Sequence, residues 1–142
     1  MTDIDIQDET ELKKRYLKRY RKNRALINRL NEKVILLDQR ITGISSPRFS
    51  DMPRGGTPVT KEDLLAEKDE IKDRIKRLES KGKIIKAEIL DKIDELEDPR
   101  YAEILESFCI KCMEFSDIAE DNCYTIRHII RLYSEAIDEI TL

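Results

Sequence analysis

"FSDIAEDNCYTIRHIIRLYSEAI", Phe115–Ile137, is the stretch whose reading decides the fold. Its apolar spacing gives a short helix from about Ser116 to Asp121, a break, and a longer helix from about Ile126 to Ile140. Phe115, Ile118, Ile129, Leu132, Ala136 and Ile137 recur at the steps of an inward face. Ala119 is small enough for two helices to cross closely. Asn122 is the residue expected to take a positive φ in the break, and Thr125 is placed to cap the second helix. Ile126, Arg127, Ile130 and Arg131 are then left outward, with the two arginines one turn apart. A helix-turn-helix needs these features, because its first helix must hold the second at an angle that lets it enter the major groove. A plain three-helix bundle with charged outer faces has them too, so the residues alone leave both readings open.

Upstream, the chain reads as long amphipathic helix. Tyr16, Tyr20, Ile27, Leu30, Val34, Leu37 and Ile41 share one face of a helix expected from about Asp8 to Ile41, roughly 50 Å long at 1.5 Å per residue. A loop is expected over about 43–60, "GISSPRFSDMPRGGTPVT", because it holds three of the four prolines and three of the four glycines. Thr60 and Asp63 form a near-capping box for a second helix. In that helix Leu64, Ile71, Ile75, Leu78, Ile85, Ile89 and Leu96 follow a heptad seam, interrupted by Lys68, Gly82 and Lys92. Such interruptions suit an irregular hairpin against the first helix better than a parallel dimer. Asp98 and Pro99 then start a helix over about Arg100–Met113. The expected architecture is all-α: a long helical hairpin over residues 1–98, coiled-coil-like, and a small helix-turn-helix bundle over 99–142.

Charge is unevenly spread along the 142 residues. The net charge is −3, yet residues 13–33 carry ten bases against one acid, while residues 1–12 and 99–142 are each net −5. Lys13, Lys14, Arg15, Lys18, Arg19, Arg21 and Lys22 are candidates for contact with a nucleic-acid backbone, with Tyr16 and Tyr20 among them. The competing reading is a solvated face paired with the acidic second helix. No apolar run of 18 residues exists, and the N-terminus lacks the basic and apolar regions of a signal peptide, so a cytoplasmic, non-membrane protein is expected. Three cysteines do not suggest a disulfide framework.

Cys109, Cys112, Cys123 and His128 give a C-x2-C-x10-C-x4-H pattern that tetrahedral zinc could use. Cys109 and Cys112 fall mid-helix, however, where a buried thiol acts as a small hydrophobe. No metal or other cofactor is therefore expected. The single histidine has no nucleophile at catalytic spacing, the carboxylates fit i,i+4 pairing on solvated faces, and "RGG" at 54–56 is not followed by Gly-Lys-Ser or Gly-Lys-Thr. No enzyme is expected.

"LDQRI" at 37–41, "SDMPRGG" at 50–56, "FSDIA" at 115–119, "YT" at 124–125 and "RHIIRLYSEAI" at 127–137 occur in the order found in a family of sigma-factor-region-four-like transcriptional regulators. Over about residues 30–142 the chain resembles those regulators of Gram-positive phages and prophages, of the autolysin-regulator and late-gene-activator type. It departs from their pattern with Phe115 in place of Trp, Glu114 in place of a Thr cap, Cys123 where Gly is common, and a more basic N-terminal arm. The resemblance implies a DNA-binding regulator acting on double-stranded promoter DNA through Thr125, Ile126, Arg127, His128, Ile130 and Arg131. It also implies a partner-docking loop at Phe49, Asp51, Met52 and Pro53 and contact with host RNA polymerase; separately, the helical arms could pair two chains as a homodimer. The alternative is a helical adaptor that binds polymerase or another protein without reading DNA. Ile126 and Ile130 stand where charged base readers are usual, which favours that alternative.

Overall fold

The computed structural model describes residues 3–45 and 59–142, with side chains at residues 5–43 and 59–142. The candidate docking residues Phe49, Asp51, Met52 and Pro53 lie outside the described residues. Every regular element among those described is helical: α1 (Asp3–Ser45), α2 (Lys61–Asp94), α3 (Pro99–Leu105), α4 (Phe115–Asp121) and α5 (Ile126–Glu139). A five-residue π-type turn, Glu106–Ile110, widens the end of α3. The all-α expectation therefore holds. α1 runs through Gly43 to Ser45, past the expected start of the loop, since a single glycine costs a helix only about 1 kcal/mol, and the helix expected over 100–113 ends earlier, in the widened turn.

Side chains fix the helix starts as their types require. Thr60 and Asp63 bond reciprocally, each backbone N–H donating to the other's side-chain oxygen at 3.2 Å. Aspartate thus closes a capping box usually closed by Glu or Gln. Asp98 accepts from the Arg100 N–H at 2.9 Å with Pro99 in the first turn, and the hydrogen bonds from Arg100 hold its carboxyl below the usual carboxylate range.

The chain divides into two compact units, Met1–Arg24 with Gly82–Leu142, and Ala25–Lys81. The boundary expected at 98/99 lies inside the first. In the second unit Ile27, Leu30 and Ile75 form the core, with Leu26, Val34, Ile71 and Leu78 packed on it. Lys68, an interruption of the heptad seam, reaches Asp38 at 2.5 Å.

In the first unit α1 and α2 run antiparallel. Arg19 pairs with Glu88 at 2.7 Å, and the later Asn23 faces the earlier Gly82. The core joins Leu17 of α1 and Ile85, Ile89 and Ile93 of α2 to Ile104, Leu105, Phe108, Ile118, Ile129, Leu132, Ala136 and Ile137. Leu17 and Ile93 fall outside the expected seams, yet both are almost fully buried, because the α3–α5 helices cover a second side of α1 and α2. Three rings close this core. Phe108 stacks on Phe115 at 4.6 Å, and Tyr133 meets both edge-on at 5.1 Å. Burial pushes the Tyr133 phenol up to about 12.

Gly82 explains another interruption of the seam. A Cβ there would collide with the buried Asn23 side chain. Glycine inside a helix costs about 1 kcal/mol against alanine, so the close approach of Asn23 offsets a real local penalty. Gly82→Ala is therefore expected to be non-additive with Asn23→Ala. Alone it should gain little or destabilise, whereas in the Asn23→Ala background it should stabilise by roughly 1 kcal/mol. Urea unfolding of the four proteins of the cycle measures this; additive effects would show that the two residues do not meet.

Candidate nucleic-acid interface

α5 is held by its ends and by its inner face. Thr125 is extended, and its hydroxyl accepts from the His128 N–H at 3.1 Å, as an N-cap should. Ile129, Leu132, Tyr133, Ala136 and Ile137 turn inward and are buried. α3 and α4 are its packing neighbours, and Ala119 on α4 is 3% exposed.

The α4–α5 connection differs from expectation in one residue. Asn122 has φ −99°, and the positive φ of 57° falls on Cys123. The Tyr124 N–H reaches Ala119 O at 2.9 Å and the Cys123 N–H reaches Glu120 O at 3.2 Å. These are the two bonds of a Schellman ending, which puts the left-handed residue just after the cap. Asn122, at the cap, turns its amide back to Ile118 O at 2.7 Å. Cys123 is thus the position that favours glycine. Helix α4 starts at Phe115 rather than Ser116, since Glu114 O accepts from both Asp117 N and Ile118 N at 3.1 Å.

The Glu114 carboxylate is not used as a cap; it goes to Arg21. Arg21 Nη1 donates to Phe108 O at 2.8 Å and Met113 O at 3.1 Å, its Nη2 reaches Glu114 Oε1 at 3.1 Å, and its guanidinium lies 4.1 Å over the Phe108 ring. The reason is the widened turn. Lys111 N bonds Glu106 O and Met113 N bonds Ser107 O, so the next carbonyl has no helical donor and the arginine fork supplies one. Cys112 follows with φ 57°.

The predicted contact residues on α5 are brought to one surface. Thr125, Ile126, Arg127, Ile130 and Arg131 are exposed and His128 is half-buried. Ile126 is 50% and Ile130 45% exposed, high for isoleucine on a helix this well packed. Arg127 makes no ion pair among the described residues. Arg131 Nη2 lies 2.9 Å from His128 Nδ1, which marks that nitrogen as the acceptor, and its Nε is 3.9 Å from Glu135. Sequence reasoning missed Tyr124, 42% exposed with its ring edge-on to His128 at 4.7 Å. An aromatic immediately before an N-cap is the signal that could have found it.

The seven bases of the α1 stripe do not share one environment. Arg21 faces inward as described. Arg19 pairs with Glu88 and covers Tyr16 at 4.1 Å. Lys13 donates to Asp138 O at 3.3 Å and pairs with Glu9, and Lys14 lies 3.8 Å from Glu11. Arg15 and Lys22 are exposed and Lys18 half-buried, with no ion pair among the described residues. Pairing with α2 thus accounts for Arg19, and pairing with α3–α5 for Lys13 and Arg21. The cysteines are dispersed by function of position: Cys109 is in the core, where burial pushes its thiol up to about 12, Cys112 is half-buried and Cys123 exposed.

No family model, no curated protein and no solved structure matches this chain.

Two outcomes follow from this geometry. Arg21→Ala should cost about 2–3 kcal/mol of unfolding free energy, since it leaves charged-donor bonds to two carbonyls unmade. Arg21→Lys should recover less than half of that, because a point charge cannot span both oxygens. Guanidinium denaturation followed by circular dichroism tests the pair, and a loss below about 0.5 kcal/mol for alanine would be the surface value instead. Cys123→Gly should raise stability by about 0.5–1 kcal/mol, because glycine takes the left-handed conformation without a Cβ penalty; an unchanged or lowered midpoint would count against the Schellman ending.

Proposed function

We propose that this chain is a phage- or prophage-type, sigma-region-four-like transcriptional regulator that reads double-stranded promoter DNA with α5. In this reading the α1–α2 pair is a long hairpin arm, α4 and α5 are a helix-turn-helix, and the protein works in the cytoplasm with no catalytic step. One observation carries it: charge is partitioned along α5. The exposed bases Arg127 and Arg131 lie in its first two turns, and the acids Glu135, Asp138 and Glu139 in its last two. A recognition helix enters the groove by its N-terminal residues. A polyanion is attracted there by the arginines and the helix N-terminus and repelled at the other end. Arg127 and Arg131 are the guanine-reading candidates. Thr125 and His128 border the same strip, and Arg15, Lys18 and Lys22 remain available for phosphate.

A second reading keeps the fold and drops the DNA: an adaptor docking on host RNA polymerase. The exposed Tyr124, Ile126 and Ile130 and the net −5 of residues 99–142 favour it. In either reading the exposed Ile35, Leu36 and Leu65 of the second unit support pairing of two chains through the arms.

Selection of duplex fragments from phage and host genomic DNA by the purified full chain, at fixed salt, separates the two readings. Arg127→Ala and Arg131→Ala should each weaken the best selected duplex by about 1–3 kcal/mol, while circular dichroism stays that of the parent. Equal affinity of both variants and the parent would remove α5 as the reading element. Recovery of polymerase from nuclease-treated lysate with no selected duplex would establish the adaptor.

A further inference from the structure

The exposed strip on α5 holds an apolar pair that the arginine contacts leave unexplained. Ile126 and Ile130 are four residues apart and half exposed. Neither closes the core, since Ile129, between them in sequence, does that at 0% exposure. Lysine or glutamine at either position would satisfy a helix surface at lower solvation cost. The strip is flanked by Arg127 and Arg131 and has no acid until Glu135, so its electrostatic complement is a polyanion rather than an acidic-and-basic protein rim.

We infer, on the reading of α5 as a duplex reader, that Ile126 and Ile130 select thymine by its methyl group at two positions of the target site. An isoleucine side chain has no donor or acceptor, so it cannot use the N7, O6, N6, N4 or O4 groups of the major-groove edges. The single apolar feature on those edges is the C5-methyl of thymine. Isoleucine buried against it gains contact area; against cytosine it meets an unsubstituted C5 and a donor amine, and against purines only polar atoms. Spacing fits as well. Four residues of helix rise about 6 Å and successive nucleotides about 3.4 Å, so the two methyls are expected about two base steps apart. Arg127 and Arg131, one residue on from each isoleucine, then address the adjoining guanines or phosphates. The site this surface takes is a thymine-bearing duplex in which methyl contacts supply part of the specificity that acids and amides supply in other recognition helices.

The test replaces thymine by deoxyuridine, which removes the methyl and leaves base pairing intact. The best selected duplex is resynthesised with one deoxyuridine at each thymine in turn, and affinity for the full chain is read by fluorescence anisotropy at fixed salt. Two positions, about two steps apart, should each lose about fourfold in affinity, the transfer value of one methyl-sized group. Ile126→Ala should abolish the thymine–uracil difference at one of them and Ile130→Ala at the other, with both proteins helical by circular dichroism. If every deoxyuridine duplex binds as tightly as its thymine parent, the methyl inference is overturned while the duplex reading stands. If no duplex is selected over scrambled DNA, both are overturned and the isoleucines belong to a protein contact.

Discussion

The Arg21 guanidinium is the constraint on which the first unit depends. It holds the Phe108 carbonyl in the widened turn, the Met113 carbonyl in the connection to α4, a carboxylate just before α4 and the face of Phe108, all from a residue on α1. A π-type turn ends a helix with one carbonyl more than its own N–H groups can reach, and a positive fork is the natural partner for oxygens at a helix C-terminus. Because Phe108 also stacks on Phe115 and meets Tyr133, the same contact passes to α4 and α5. The orientation of α5 is thus set by charge-assisted bonds at one end of the core and by aromatic packing in its middle. A basic stripe that looks, in sequence, like a polyanion surface commits Arg21 to architecture.

The second unit and the α1–α2 portion of the first show the same economy with polar seam residues. Lys68 and Gly82 break a heptad pattern, yet each sits at a contact: Lys68 against Asp38 and Gly82 against Asn23. Apolar seams tolerate sliding by a full heptad. A buried amide matched to one glycine does not, so these pairs specify register at some cost in raw stability. Leu64, Ile75, Ile85 and Ile89 supply the burial, and the polar pairs decide where along the helix it occurs.

On α5 the conflict runs the other way. Inner-face burial is complete, the cap is formed, and the outer face nonetheless keeps two large apolar side chains beside two arginines. In the proposed reading that outer face is kept for a partner rather than for folding. In the same reading the acid-rich C-terminal half of α5 would repel an anionic partner from all but the first two turns.

The sequence by itself determined the helical class, the positions of three helix starts, and which residues of α5 face out. Those features are local: 3.6-residue periodicity, cap chemistry at Thr60, Asp98 and Thr125, and proline placement act within a few residues. Tertiary structure alone decided that Cys123 rather than Asn122 takes the left-handed turn, because the Schellman bonds are counted from where α4 ends. It decided that Leu17 and Ile93 are core residues, since Leu17 is covered by α2 and the α3–α5 helices, all distant in sequence, and Ile93 by the α3–α5 core. It decided, too, that Arg19 and Arg21 are tethered while Arg15 and Lys22 are exposed. A periodic pattern fixes which side of a helix is inward only when one neighbour is present; α1 has several, and their placement is a property of the assembled core.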